Sequence, residues 1–349
     1  MPPPPKPDPT VPIGNSVFVS QLGGPDGLRN RLDKCFSDIP SAVAAAQAGD
    51  TVFVYPGSYT LSTPIQLRPG INFEFLGSGS VTSSVEVFSD KGQTGDSETT
   101  ILARGWKFYS ENHQAFAFAP KSANRVASLY FTFDAILGGE PVAIYAGAGR
   151  IILDGGLIHS LGGTPVQVNA GEDVNIWNCK ITTESTANQD AILLWGNLTV
   201  ENCLIEALGG KGGTDSIGMD GGKLIARNCK IVSEGANALT LRNQGSAELW
   251  NCDVIGDDSA LTVAENLVIE SNDCNFHCTG VGKNAVEIYR SAPAKIQLRG
   301  GKISSVEGAF DINLGWGSGE ITVAGTTWDR TKGLPTREWI PGEGWRNSV

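Results

Sequence analysis

Charge, histidine and methionine are what this chain has little of. Only 18 % of its 349 residues are charged, and it holds three histidines and two methionines. Basic residues are the scarcer sign, 26 against 37 acidic, and the net charge of -11 excludes a partner held by its phosphate backbone, so no nucleic acid is expected. No apolar run reaches the roughly 18 residues of a membrane helix, and insertion in a membrane is not expected. The opening Met1-Pro-Pro-Pro-Pro-Lys-Pro-Asp-Pro9 lacks the apolar centre of a secretory signal, so export by that route is not expected either. Seven cysteines is an odd number, and five of them share one phase of a repeat. That pattern reads as a reduced core ladder, not a disulfide framework.

What the chain has is repetition. The phrase apolar, any, apolar, any, Asn, Cys, any, apolar runs through Val174-Asn-Ile-Trp-Asn-Cys-Lys-Ile181, Leu198-Thr-Val-Glu-Asn-Cys-Leu-Ile205, Leu224-Ile-Ala-Arg-Asn-Cys-Lys-Ile231 and Ala247-Glu-Leu-Trp-Asn-Cys-Asp-Val254. Its cysteines, Cys179, Cys203, Cys229 and Cys252, lie 24, 26 and 23 residues apart. A second phrase, small, apolar, any, apolar, begins at Ala115, Pro141, Pro165, Ala191, Ser216, Ala238, Ala260, Ala285 and Ala309. Nine rungs in one phase predict coils with at least two alternating strands each, stacked about 4.8 Å apart.

The Asn position is filled by Gly155, Gly300 or Gly325 in other coils. Asn and Gly share tolerance of a left-handed backbone, so this position is a corner, and stacked Asn178, Asn202, Asn228 and Asn251 are expected to hydrogen-bond along the axis. Cys274 keeps the phase in a coil near Leu267 to Phe276 that holds about two extra residues. Cys278 falls outside it.

The expected organisation is a proline-rich tail over 1–12, an N-terminal lead-in over 13–38, the coil with its cap helix over 39–328, and a Trp-containing tail or cap over 329–349. Ser16 to Ser20 reads as a strand, 23–27 as a turn, and Ser37 to Ala48 as a helix with an early proline. Residues 89–100 read as a projecting polar loop. The alanine-rich helix followed by Gly49-Asp-Thr-Val-Phe-Val-Tyr-Pro-Gly-Ser-Tyr59 resembles the start of right-handed parallel β-helix proteins of the pectin-lyase-like superfamily. The resemblance implies an all-β solenoid of about 10–12 coils of 22–27 residues, capped by that helix. It says almost nothing of activity, because the superfamily spans lyases, hydrolases, esterases, phage tail spikes and non-enzymatic surface proteins.

In this register the outward residues of the second phrase form one long face, with Ala117, Ala143, Gln167, Leu193, Gly218, Thr240, Thr262, Glu287 and Asp311 in one column. Tyr145, Asn169, Trp195, Asp220, Arg242, Tyr289 and Asn313 stand beside them as candidate glycan contacts, rings for stacking and polar groups for hydroxyls. Two carboxylate pairs follow from stacking: Asp190 with Asp215, just before the small residue, and Glu287 with Asp311. Either is near the separation retaining glycosidases use; either also suits turn capping. Asp220 is expected to pair with Arg242. The aspartates resemble polygalacturonase motifs only faintly, since Asp215 and Asp258 do not share a slot. A pectate-lyase calcium cluster and a methylesterase set are both incomplete. His159 and His277 stand five coils apart, so no metal site or cofactor is expected.

With no complete catalytic set, no secretion signal and a proline-rich start, the chain looks like phage fibre or tail-spike surface proteins. That implies a virion or extracellular location, association with other virion or surface proteins through the N-terminus, homo-oligomers (trimers favoured), and contact with host glycans. The alternative is a polysaccharide lyase or glycoside hydrolase acting along the outward face.

Overall fold

The computed structural model describes residues 15–24, 26–90, 98–111, 113–118, 128–138, 142–146, 150–169, 173–185, 189–209, 214–264, 267–288, 294–306, 311–313, 320–327, 337–340 and 344–347. They form a parallel β-solenoid. Each coil contributes strands to three rows, and every pairing between coils is parallel. Row one includes Asn197–Glu201, Gly222–Arg227 and Gly245–Trp250; row two includes Leu204–Ala207, Lys230–Ser233 and Asp253–Gly256. Row three is an 11-stranded sheet running from Ile65–Gln66 to Ile312–Asn313.

Alternation explains the core. In Asn197–Glu201 the alternate residues Leu198 and Val200 are buried, and the thiols of Cys179, Cys203, Cys229, Cys252 and Cys274 stack inside with them. Desolvation raises the Cys179 pKa, so its thiol is inert packing. All seven cysteines are free. Cys278 also turns inward, on row two, where it pairs with Gly256 and Ser305 and is fully buried. Its phase differs from the other five because it belongs to a different row. Toward the N-terminus the same interior is aromatic, with Phe73, Phe75, Phe88, Phe108, Phe116, Phe131 and Trp106 in one chain of ring contacts.

The corner between rows one and two is as expected. Asn178, Asn202, Asn228 and Asn251 have φ of 55°, 54°, 52° and 50°. Each side-chain amide donates to the one before it: Asn251 to Asn228 at 3.0 Å, Asn228 to Asn202 at 3.2 Å, Asn202 to Asn178 at 3.3 Å. Asn178 ends the run on Asp154 at 2.9 Å. At the far end Asp273 holds the corner with φ 53°, and Gly245–Trp250 pairs with Leu267–Asn272 residue for residue. The coil near Leu267 therefore has no insertion; the phrase there is Ile269-Glu-Ser-Asn-Asp-Cys274, with Asp in place of Asn.

Ser16–Gly24 stacks in parallel on Thr51–Val54, so the strand continues through the start of the expected turn. The helix spans Ile39–Ala45, shorter than expected at both ends. Asp38 caps it by accepting from the Ser41 N–H at 2.8 Å, and Pro40 sits in its first turn. At its other end the chain becomes extended at Ala46, while Arg68 donates to the carbonyls of Val43 and Ala46. Buried Asp50 ties the lead-in to the coil, accepting from Arg29 at 2.5 and 2.6 Å, and that guanidinium holds its carboxyl below the usual range. The expected polar loop is partly strand, since Phe88–Ser89 and Glu98–Ser110 pair with neighbouring coils. Residues 91–97 and the proline-rich tail lie outside the described residues. Beyond Trp328, Arg337–Ile340 adds in parallel to Glu320–Ala324 and pairs antiparallel with Gly344–Asn347.

Candidate functional site

Row three carries the outward face, and its register departs from expectation at two rungs. Six rungs, from Thr164–Val168 to Val286–Ile288, pair as the small-apolar phrase predicts. Tyr145, however, pairs with Ala117 and Gln167, so it takes the column assigned to Ala143. Glu287 pairs with Asn313, not Asp311. Asp311 instead occupies the inward small-residue slot, 1 % exposed, where it accepts from Ser305 Oγ at 2.7 Å. The Glu287–Asp311 carboxylate pair is therefore not formed. Glu287 accepts from Asn313 Nδ2 at 3.0 Å. The face is also more covered than expected: Ala117, Thr240, Thr262 and Asn313 are buried, while Gln167, Leu193 and Glu287 are half-buried. Tyr289 and the side chain of Tyr145 lie outside the described residues.

The second pair does come together. Asp190 and Asp215 stand on consecutive coils at the turn that leads into row three, and Asp190 Oδ1 accepts from the Asp215 backbone N–H at 3.1 Å. Asp215 Oδ1 accepts in turn from the Asn237 N–H at 3.3 Å. Both carboxyls are buried, 7 % and 2 % exposed. A carboxylate accepts bonds and loses its charge stabilisation when water is removed, so burial pushes both pKa values up. Asp190 is pushed to about 7, first by burial and then by the neighbouring Asp215 charge. Asp215 is pulled back by Thr240 and by Arg242, whose guanidinium donates to Oδ2 at 2.9 Å.

At the other end of the row-three strands the backbone ladder continues one residue further, with the N–H groups of Trp195, Asp220 and Arg242 donating to Val168, Leu194 and Met219. This stacks Asn169, Trp195, Asp220 and Arg242 in one half-buried column. Asn169 accepts from Gln167 Nε2 at 3.3 Å. The expected Asp220–Arg242 ion pair is long, 3.9 Å; Arg242 prefers Asp215. Arg242 thus reaches from the aromatic column back across row three to the buried aspartates.

Gly218 makes that crossing possible, and sequence reasoning missed it. A Cβ there would stand 1.8 Å from Asp190 Oδ2. The gap in the column between Leu193 and Thr240 is filled by the Asp190 carboxyl, which lies across the outward face instead of at the turn. The signal was a lone glycine in a column of larger side chains. The arrangement brings together a carboxyl whose pKa burial pushes up to about 7, an ion-paired carboxyl and a partly exposed one on two consecutive coils.

Among the described residues no group of three or more His, Cys, Asp or Glu side chains has the geometry to hold a metal ion. His159 and His277 each bond a neighbouring hydroxyl, Thr182 and Ser304, at 2.8 Å.

No family model matches the chain, and no curated protein matches it in sequence. Among solved structures, the catalytic unit of a thermostable GH87 alpha-1,3-glucanase from Streptomyces thermodiastaticus strain HF3-3 is similar over 92 % of this chain and 70 % of that one, at 18 % identity and a TM-score of 0.49. At that identity the likeness is one of solenoid fold.

Proposed function

We propose that the chain is a glycoside hydrolase whose reacting groups lie at Asp190 and Asp220, with Arg242 and Asp215 positioning them. The carrying observation is the Asp190 carboxyl, pushed up to about 7 and laid into the Gly218 gap on the outward face. Cleavage of a glycosidic bond needs an acid that still holds its proton near neutral pH and a second carboxylate that has lost one. Asp190 fits the first need. Partly exposed Asp220, in the neighbouring coil and near the Arg242 guanidinium, is placed for the second role, as the base that activates water or as the nucleophile. Trp195, in the same column, offers a ring face to a sugar. A lyase would need a free base to take the proton beside a uronate carboxylate, and Arg242 is committed to Asp215. Asp215 is held by Arg242 and Asp311 by Ser305 inside the coil, so neither is offered to the outward face.

A second reading has its own support. Asp190 and Asp215 each accept a backbone N–H from the following coil, a capping role that requires no substrate. On that reading the chain is a non-enzymatic virion or surface protein. Reducing-end release from a panel of neutral glucans and acidic capsules separates the two. Hydrolysis that falls at least 100-fold in both Asp190→Asn and Asp220→Asn supports the first. Cleavage that survives both substitutions, or no cleavage anywhere on the panel, sinks it.

A further inference from the structure

Row one carries an outward column whose order reads Trp177, Glu201, Arg227, Trp250, one residue per coil. Trp250 is 43 % exposed, Trp177 and Glu201 half-buried, and Arg227 exposed. Glu201 and Arg227 are direct neighbours across the coils, yet no ion pair joins them among the described residues, where Lys180–Glu206 and Lys223–Glu248 pairs do form at 2.9 and 2.6 Å. Two partly exposed indoles enclosing two opposite charges is an unusual use of a solvent face.

The order has a symmetry. A two-fold axis lying in this face, parallel to the strands and midway between Glu201 and Arg227, reverses the solenoid direction and leaves each column over itself. Glu201 then meets Arg227 of a second copy, Arg227 meets its Glu201, and each tryptophan meets the opposite one. One rung further out, Asp154 meets Asn272, carboxylate to amide. The column is therefore complementary to its own reverse, which is the requirement for an isologous contact.

We propose that two copies of this chain pair face to face and antiparallel through row one, with Trp177, Glu201, Arg227 and Trp250 at the centre. The pairing is two-fold, in place of the three-fold association expected of fibre-type proteins. It uses a different face from the aspartate site and stands independently of the hydrolase reading. Here the charges sit at the centre and the indoles flank them; aromatic side chains that lose water on association are where interface energy concentrates, and the charges set register.

Sedimentation velocity over a range of concentrations, in low and moderate salt, tests the pairing. The wild-type chain is expected to run as a salt-sensitive dimer. Glu201→Arg and Arg227→Glu each place like charges opposite one another and are expected to weaken the dimer at least tenfold, with circular dichroism unchanged because both side chains reach solvent. An equimolar mixture of the two variants restores both opposite-charge contacts, and the double charge swap does so within one chain; both are expected to dimerise like wild type. A monomer or trimer at all concentrations, a dimer indifferent to both substitutions, or a mixture that stays monomeric overturns the proposal. So does a monomer whose tryptophan fluorescence responds to a glycan, which would make this column a sugar platform.

Discussion

Two side-chain ladders run along the same solenoid axis and solve the same problem differently. The corner ladder stacks Asn178, Asn202, Asn228 and Asn251 in water; the ladder before row three stacks Asp190 and Asp215 away from it. An amide both donates and accepts, so identical residues satisfy one another along the axis. An ionised carboxylate only accepts, so stacked aspartates turn to backbone N–H groups and repel each other. Repetition is therefore stabilising at the corner and costly at the turn. Asp190 answers with a pKa pushed up to about 7 by burial and by Asp215, and Asp215 by recruiting Arg242. An amide ladder is finished as built. A carboxylate ladder retains a proton poised for transfer, which is why function is sought there.

Turning the aspartate slot into an amide slot breaks this comparison with the largest effect. The Asp190 pKa is raised in the fold, from 3.8 to about 7, so the folded state binds the proton more tightly than the unfolded chain. Its contribution is most favourable below about pH 4 and is lost as pH rises toward 7. At roughly 1.36 kcal/mol per pKa unit, the loss is at most about 4 kcal/mol. Asp190→Asn keeps an acceptor for the Asp215 N–H and removes the charge, much as Asn237 does in the same slot two coils on. Urea unfolding at pH 4 and pH 8 is expected to show a smaller pH dependence in the variant, the remainder coming from Asp215, and a variant more stable than wild type at pH 8. A wild type equally stable at both pH values would contradict the assignment.

The corner ladder breaks with a smaller effect, through its backbone. Asn228→Val forces a β-branched residue to φ 52° and removes two side-chain hydrogen bonds, a loss of about 2–3 kcal/mol. Asn228→Gly accepts the same backbone and loses only the bonds, about 1 kcal/mol or less at an exposed site. Equal destabilisation of the two variants in thermal melts would mean that the ladder bonds, not the left-handed corner, set the cost.

How far these features were legible follows from what repeats. The corner, the inward thiols and the central register were readable because every coil restates them, and a one-residue slip would turn buried isoleucines outward. A two-residue slip preserves alternation and is invisible to it. Pro141 and Ala309 resemble the small residue that opens the phrase, but inward Ile144 and Ile312 set the true rungs. That slip placed Asp311 on the surface when it is inside, and moved Tyr145 and Asn313 by one column. The Gly218 gap and the preference of Arg242 for Asp215 depend on side chains crossing between coils, which no period in the sequence records.

The smallest effect comes from the rung where the two ladders trade chemistry. Asp273 holds the next corner after Asn251, and its carboxylate has no donor for the free side-chain oxygen of Asn251. It turns the other way, so that a Cβ at Gly300 would stand 2.1 Å from its Oδ1, and it makes no side-chain hydrogen bond among the described residues. Asp273→Asn supplies the missing donor without changing shape or backbone preference. The ladder should gain one rung and the protein about 0.5–1 kcal/mol, less a little for ordering an exposed side chain. Because the gain is a hydrogen bond and not relief of charge, it should persist in high salt, as urea midpoints at two ionic strengths will show. A gain that vanishes with salt would mean that the asparagine column is held by its corners alone, and that its amides stack without stabilising.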